Sequence, residues 1–165
     1  MLCINIPGNG FNEENFNFSV ELDLGDIAHI FIKVLNKLKI SKLHAIIGGS
    51  IGGCLTWEMA AIKNDIAEKI IPVASDWKAN DWLIANTFLQ DRILENSKDP
   101  VGDARIHAMT FYRTPESLNQ RFLRSKNIEK GIYNVESWLD HHAIKLSQRF
   151  SPVSYTHLRA HETDY

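Results

Sequence analysis

The chain has 165 residues, enough for one domain with a real core, and its 44% apolar and 23% charged content is ordinary for a globular protein. A net charge of −2, with neither a basic block nor an acidic tail, points away from nucleic acid. No apolar run approaches the roughly 20 residues of a membrane helix, the first residues lack the order of a signal peptide, and Cys3 and Cys54 give neither a disulfide framework nor metal spacing, so the expectation is a cytoplasmic protein with no membrane partner and no metal.

Leu2 to Ile6 reads as a short strand ending in the turn Pro7-Gly8-Asn9-Gly10. That turn lacks the GK[ST] ending of a phosphate loop. Phe11 to Glu21 reads as a loop. Asp23 or Asp26 then caps a helix, in which Ile27, Ile30, Phe31, Val34, Leu35 and Leu38 fall at helical spacing. Lys42 to Ile47 reads as a second strand, Gly53 to Ile62 as a helix and Lys69 to Val73 as a third strand. This alternation favours an α/β class with parallel strands and crossover helices.

The pattern changes after residue 78. Asn80 to Leu94 is helical, with Trp82, Ala85, Phe88, Leu89 and Ile93 on one side. Asp103 to Phe111 follows, then Pro115 to Arg124, with Thr114 as cap and Pro115 in the first turn. Asn134 to Phe150 carries the stripe Val135, Trp138, Leu139, His142, Ala143, Leu146 and Phe150. Four helices without an intervening strand read as a helical lid. The expected organisation is an α/β core over 1–78, a lid over 79–150 and a tail over 151–165. The tail from about Val153 resembles a translated adapter sequence and reads as non-native.

The chemistry concentrates at Gly48-Gly49-Ser50-Ile51-Gly52-Gly53. Gly48-x-Ser50-x-Gly52 is a G-x-S-x-G nucleophile elbow, set between a strand and a helix as the motif requires. A serine on such a turn has a strained backbone and an exposed hydroxyl. Flanking side chains would collide with neighbouring backbone, which calls for glycine. The free N–H groups of the helix that follows face any oxyanion formed on a substrate bonded to Ser50.

Four segments together resemble the homoserine O-acetyltransferase family of α/β-hydrolase-fold enzymes. They are Leu43 to Gly53 (LHAIIGGSIGG), Ile70 to Ser75 (IIPVAS), Ala104 to Glu116 (ARIHAMTFYRTPE) and Tyr133 to Phe150 (YNVESWLDHHAIKLSQRF). The resemblance implies a partial α/β-hydrolase fold followed by a helical lid. It implies Ser50 as nucleophile, the Ile51 N–H as one oxyanion donor, and Arg105 and Tyr112 as acceptor-binding residues. An arginine at Arg105 suits the carboxylate of an amino acid; by spacing, it also suits an ion pair with Asp103 or Glu116. Arg113 reads as structural. Ile51 replaces a more usual methionine or leucine, and His107 stands where an apolar or aromatic residue is common. The family's triad Asp and His, and its other oxyanion donor, find no match here, so the chain reads as an internal, catalytically inert fragment with open sheet edges.

The implied reaction is ping-pong acyl transfer from acetyl-CoA, a co-substrate and not a bound cofactor, to L-homoserine in methionine biosynthesis. Succinyl-CoA as donor and serine as acceptor stay open, as does an esterase or thioesterase of the same fold. The expected partners are these small molecules and a second copy of the full-length protein. Other residues carry plainer readings. Cys54 reads as a small buried helix residue, His142 as a core or interface residue, and His29 and His44 as surface or packing residues. Trp77 and Trp82 read as packing the lid on the core, with the border of the acyl pocket as the alternative. His157, His161 and Asp164 lie in the tail and make no triad.

Overall fold

The computed structural model describes residues 1–8 and 22–151. The expected loop over 11–21 and the tail with His157, His161 and Asp164 lie outside those residues. The chain divides into two compact units, one running to Thr87 and the other starting at Phe88.

In the first unit, α1 spans Leu24–Lys37. Both candidate caps act together. Asp23 accepts from the Asp26 N–H at 2.7 Å, and the Asp26 carboxylate accepts from the Asp23 N–H at 3.3 Å, a capping box that satisfies two orphan donors. The helix buries Leu24, Ile27, Ala28, Phe31 and Leu35. Leu38 falls off the predicted stripe because it is already the C-cap, and Lys39 turns the chain with φ +58°.

β1 (Leu43–Gly49), α2 (Ile51–Ile62) and β2 (Ala67–Val73) form a β–α–β unit. Parallel strands need a crossover, and α2 supplies it. The register runs from Leu43↔Ala67 to Gly49↔Val73. β1 extends two residues past the expected end because Gly48 and Gly49 still pair, with Pro72 and Val73. Leu2 to Ile6 is not a strand. It has no ladder partner among the described residues, and Ile4 and Ile6 pack against the core instead. That core joins the apolar face of α1 to Leu55 and Met59 of α2 and to Ile66. Each such side chain contributes about 1.5–3 kcal/mol on burial. Ile47, Ile71 and Val73 of the sheet are exposed.

α3 (Asp81–Asn96) carries the boundary between the units. Its spacing predicts a buried apolar side, yet Trp82, Phe88 and Leu89 are exposed and Thr87 is buried. Periodicity marks an apolar side; it does not say what covers it.

In the second unit, α4 (Pro100–Phe111) begins three residues before the expected start. Asp99 caps it, accepting from the Gly102 N–H at 3.1 Å, with Pro100 in the first turn. α5 (Pro115–Phe122) has Thr114 as its cap, accepting from the Ser117 N–H at 3.2 Å. It ends before Arg124 because Leu123 and Arg124 take positive φ, +48° and +54°. The expectation of helices without strands is corrected here. A hairpin of β3 (Lys126–Asn127) and β4 (Ile132–Tyr133) precedes α6 (Asn134–Ser147). Its turn rests on Asn127, which accepts from the Gly131 and Lys130 N–H groups, and on Gly131 at φ +68°. α4 packs on α6 with Val101, Ala104, Ala108, Met109 and Ala143 buried. Small alanines let the two helices approach closely.

Candidate functional site

Ser50 sits between the last residue of β1 and the first of α2 with φ +52° and ψ −125°. That region is sparsely populated for any residue with a side chain and costs about 1–3 kcal/mol. Three contacts hold it there. The Ser50 N–H donates to Val73 O at 2.9 Å, tying the turn to β2, and Ser50 O accepts from the Gly53 and Cys54 N–H groups at 2.7 and 3.1 Å. The side chain makes no capping hydrogen bond and is exposed, which leaves the hydroxyl presented to solvent.

The glycines divide into two kinds. A Cβ on Gly48 would overlap the Gly52 carbonyl and lie 2.9 Å from the Gly53 nitrogen, and one on Gly53 would lie 2.6 Å from Ser75 Cβ and Oγ. Gly52 has nothing within 4 Å and Gly49 only the Val73 carbonyl at 4.0 Å. The expected steric demand therefore falls on Gly48 and Gly53, not on Gly49 and Gly52. Gly53 is needed because the chain after β2, where Ala74 takes φ +50°, brings Ser75 against the first turn of α2. Sequence spacing gave no sign of Ser75. Its hydroxyl lies 3.6 Å from Cys54 Sγ, so Cys54 is half-buried against a polar neighbour as well as the core.

Ile51 and Gly52 open α2, and helical carbonyls cannot reach their N–H groups. They carry the positive end of the helix dipole beside Ser50. A shallow surface depression lies at the other end of β1, among Leu35, Ile40, Leu43 and Ile66, remote from this chemistry.

In the second unit, Arg105 is half-buried on α4. It pairs with neither Asp103 nor Glu116; Asp103 instead accepts from the Ser97 hydroxyl. Tyr112 is the C-cap of α4, two turns beyond Arg105, and is 59% exposed. It is tilted against Phe111 at 5.8 Å. His142 of α6 is held below the ordinary imidazole range, first by burial and then by the positive charges of Arg105, His141, Lys145 and Arg121. Arg105 and His142 are thus brought together across the α4–α6 packing. Trp138 anchors the same region. His142 meets its ring edge-on at 4.8 Å, Phe122 packs at 5.5 Å, and the Arg121 and Arg113 guanidinium carbons lie over it at 5.1 and 5.9 Å. His107 stacks on Phe111, and burial holds it below its usual pKa. Its Nδ1 is buried without a hydrogen-bond partner among the described residues.

Trp77 and Trp82 are 66% and 68% exposed. His29 and His44 are locally occupied. His29 Nδ1 donates to Gly25 O at 2.8 Å, and His44 pairs with Glu68 at 2.9 Å on the surface. His44 lies near the start of β1, at the opposite end from Ser50.

No family model matches the chain. Curated relatives do. The chain is 33% identical over 147 residues to the homoserine O-acetyltransferase of Chloroherpeton thalassium, covering 81% of this chain and 39% of that protein. It is 31% identical over 142 residues to the homoserine O-acetyltransferase of Cyclobacterium marinum, with 79% and 40% covered. The chain thus spans about two fifths of the length of the curated relatives it matches. Among solved structures, it superimposes on homoserine O-acetyltransferase from Staphylococcus aureus with a TM-score of 0.75 at 22% identity, covering 94% of this chain and 46% of that one. An acetylester hydrolase from Corynebacterium glutamicum gives 0.73 at 19%, covering 94% and 48%. At such identities these two likenesses establish the fold, that of the α/β-hydrolases, and the curated sequences narrow it further. The chain belongs to the homoserine O-acetyltransferase family.

Proposed function

We propose that this chain carries the nucleophile and acceptor-binding parts of an O-acyltransferase that moves an acetyl group from acetyl-CoA to the hydroxyl of L-homoserine, a step of methionine biosynthesis. The observation that carries the proposal is the backbone of Ser50, strained and exposed at the junction of β1 and α2. In this reading the Ser50 hydroxyl attacks the thioester carbonyl, and its proton passes to a histidine base. The Ile51 N–H stabilises the oxyanion. The thiol of CoA leaves and an acetyl-serine ester remains. The homoserine hydroxyl then attacks that ester, with its carboxylate held by Arg105 and its side chain bordered by Tyr112.

No described histidine is hydrogen-bonded to Ser50. A serine without a base keeps its high intrinsic pKa and is a poor nucleophile. The base in this reading comes from outside the described residues. A homodimer in the cytoplasm completes the reading.

Likeness to an acetylester hydrolase supports one rival, in which water replaces homoserine. Trapping the intermediate tests the shared first step. The complete protein mixed with acetyl-CoA and quenched in acid is expected to carry one acetyl group on the peptide containing Ser50. Acetylation elsewhere, or none, contradicts Ser50 as nucleophile. Discharge of that ester by homoserine, and not by water, separates the transferase from the hydrolase.

A further inference from the structure

Arg113 and Arg121 are exposed, yet they are not loose. Both guanidinium carbons lie within 6 Å of the Trp138 ring centre, and Trp138 is itself fixed by Phe122 and His142. A guanidinium held by its face on an aromatic ring keeps the N–H donors of its rim free, whereas an ion pair would occupy them. Among the described residues neither arginine has a carboxylate within 4 Å. Of the acids on nearby elements, Glu136 accepts from the Tyr133 N–H and Asp103 from Ser97, while Glu116 of α5 and Asp140 of α6 make no ion pair among the described residues. Two cations therefore share one indole without an ion pair among the described residues. The surrounding charge also bears on His142, which is held below the ordinary imidazole range first by burial and then by Arg105, His141, Lys145 and Arg121.

From this arrangement we propose that Arg113 and Arg121, held on Trp138, form a binding site for a phosphate-bearing ligand. Resting on the acyltransferase reading, the ligand is the phosphorylated end of the CoA donor. Two guanidinium forks gathered on one ring suit the oxygens of a phosphate better than a single carboxylate, and Arg105 is left for the acceptor. The site uses no residue of the elbow.

Calorimetric titration of the 165-residue chain with coenzyme A, with phosphate-free pantetheine and with inorganic phosphate tests this. The expected result is saturable binding of coenzyme A that weakens as salt rises, weaker binding of inorganic phosphate, and none of pantetheine. Arg121→Gln and Arg113→Gln should each weaken coenzyme A about tenfold or more with unchanged thermal melting, and Arg121→Lys should fall between. Equal binding by the glutamine variants, or equal binding of pantetheine, overturns the site. Should a glutamine variant fail to fold, unchanged affinity in Arg121→Lys at any salt concentration overturns it as well. Binding of inorganic phosphate as tight as coenzyme A keeps the site but overturns its assignment to the donor. Tight coenzyme A binding by a complete protein that transfers no acyl group overturns the acyltransferase reading and leaves the phosphate site standing.

Discussion

In the first unit the chemistry is set by backbone. Ser50 is placed by φ and ψ, by a parallel strand that accepts its N–H bond, and by two glycines whose missing side chains let α2 close on β1 and on Ser75. In the second unit it is set by side-chain charge on a plain helical frame. α4, α5 and α6 have ordinary caps and an alanine-lined contact, and what distinguishes them is a group of cations around Trp138. A backbone-built site tolerates little change of shape and some change of charge. A charge-built site should show the reverse, and substitutions in the two units can be chosen to test that contrast.

The largest effect is expected at the nucleophile. Ser50→Ala should cut acyl transfer by the complete protein about a thousandfold or more, roughly 4 kcal/mol of barrier, with no loss of fold. Next comes shape. Gly48→Ala should destabilise by about 3 kcal/mol, since the new methyl meets backbone that cannot move aside, while Gly52→Ala should be nearly neutral. A denaturant melt of the two variants checks this, and equal costs would remove the steric account of the elbow. Charge in the second unit follows. Arg105→Gln should raise the KM for homoserine about a hundredfold and leave formation of the acetyl-serine ester unchanged. If both steps slow together, Arg105 acts on structure and not on the acceptor.

The smallest effect is in acid. His107 and His142 both have pKa values below the 6.5 of a free imidazole. The unfolded chain then binds more protons than the folded one as pH falls below about 6.5, and stability falls with it. His107→Leu should flatten that fall in melts taken from neutral to mildly acidic pH. An unchanged profile would mean that the buried, unpartnered Nδ1 carries no such cost.

How much of this was legible in the sequence differs between the units for a physical reason. The elbow is local. Ile46 to Gly53 states a strand, a turn and a helix start within eight positions, and the structure differs chiefly in where the strand and helix meet. Capping is equally local, so Asp23, Thr114 and their helices were readable. What was not readable depends on partners distant in sequence. Leu2 to Ile6 has strand composition but no neighbouring strand to pair with among the described residues. Trp82, Phe88 and Leu89 share a helical side that is nonetheless exposed. The clash that demands Gly53 comes from Ser75, and the arginines around Trp138 come from both ends of α5, so neither group declares itself by spacing. The β3–β4 hairpin was missed although Asn127 and Gly131 mark its turn, because two-residue strands leave no period to count.

The most direct test of the account is thiol release from acetyl-CoA by the complete protein, followed with and without homoserine. Release that requires homoserine and disappears in Ser50→Ala is the predicted result. Release at the same rate without homoserine would contradict acyl transfer and the role given to Arg105, leaving a hydrolase built on the same elbow.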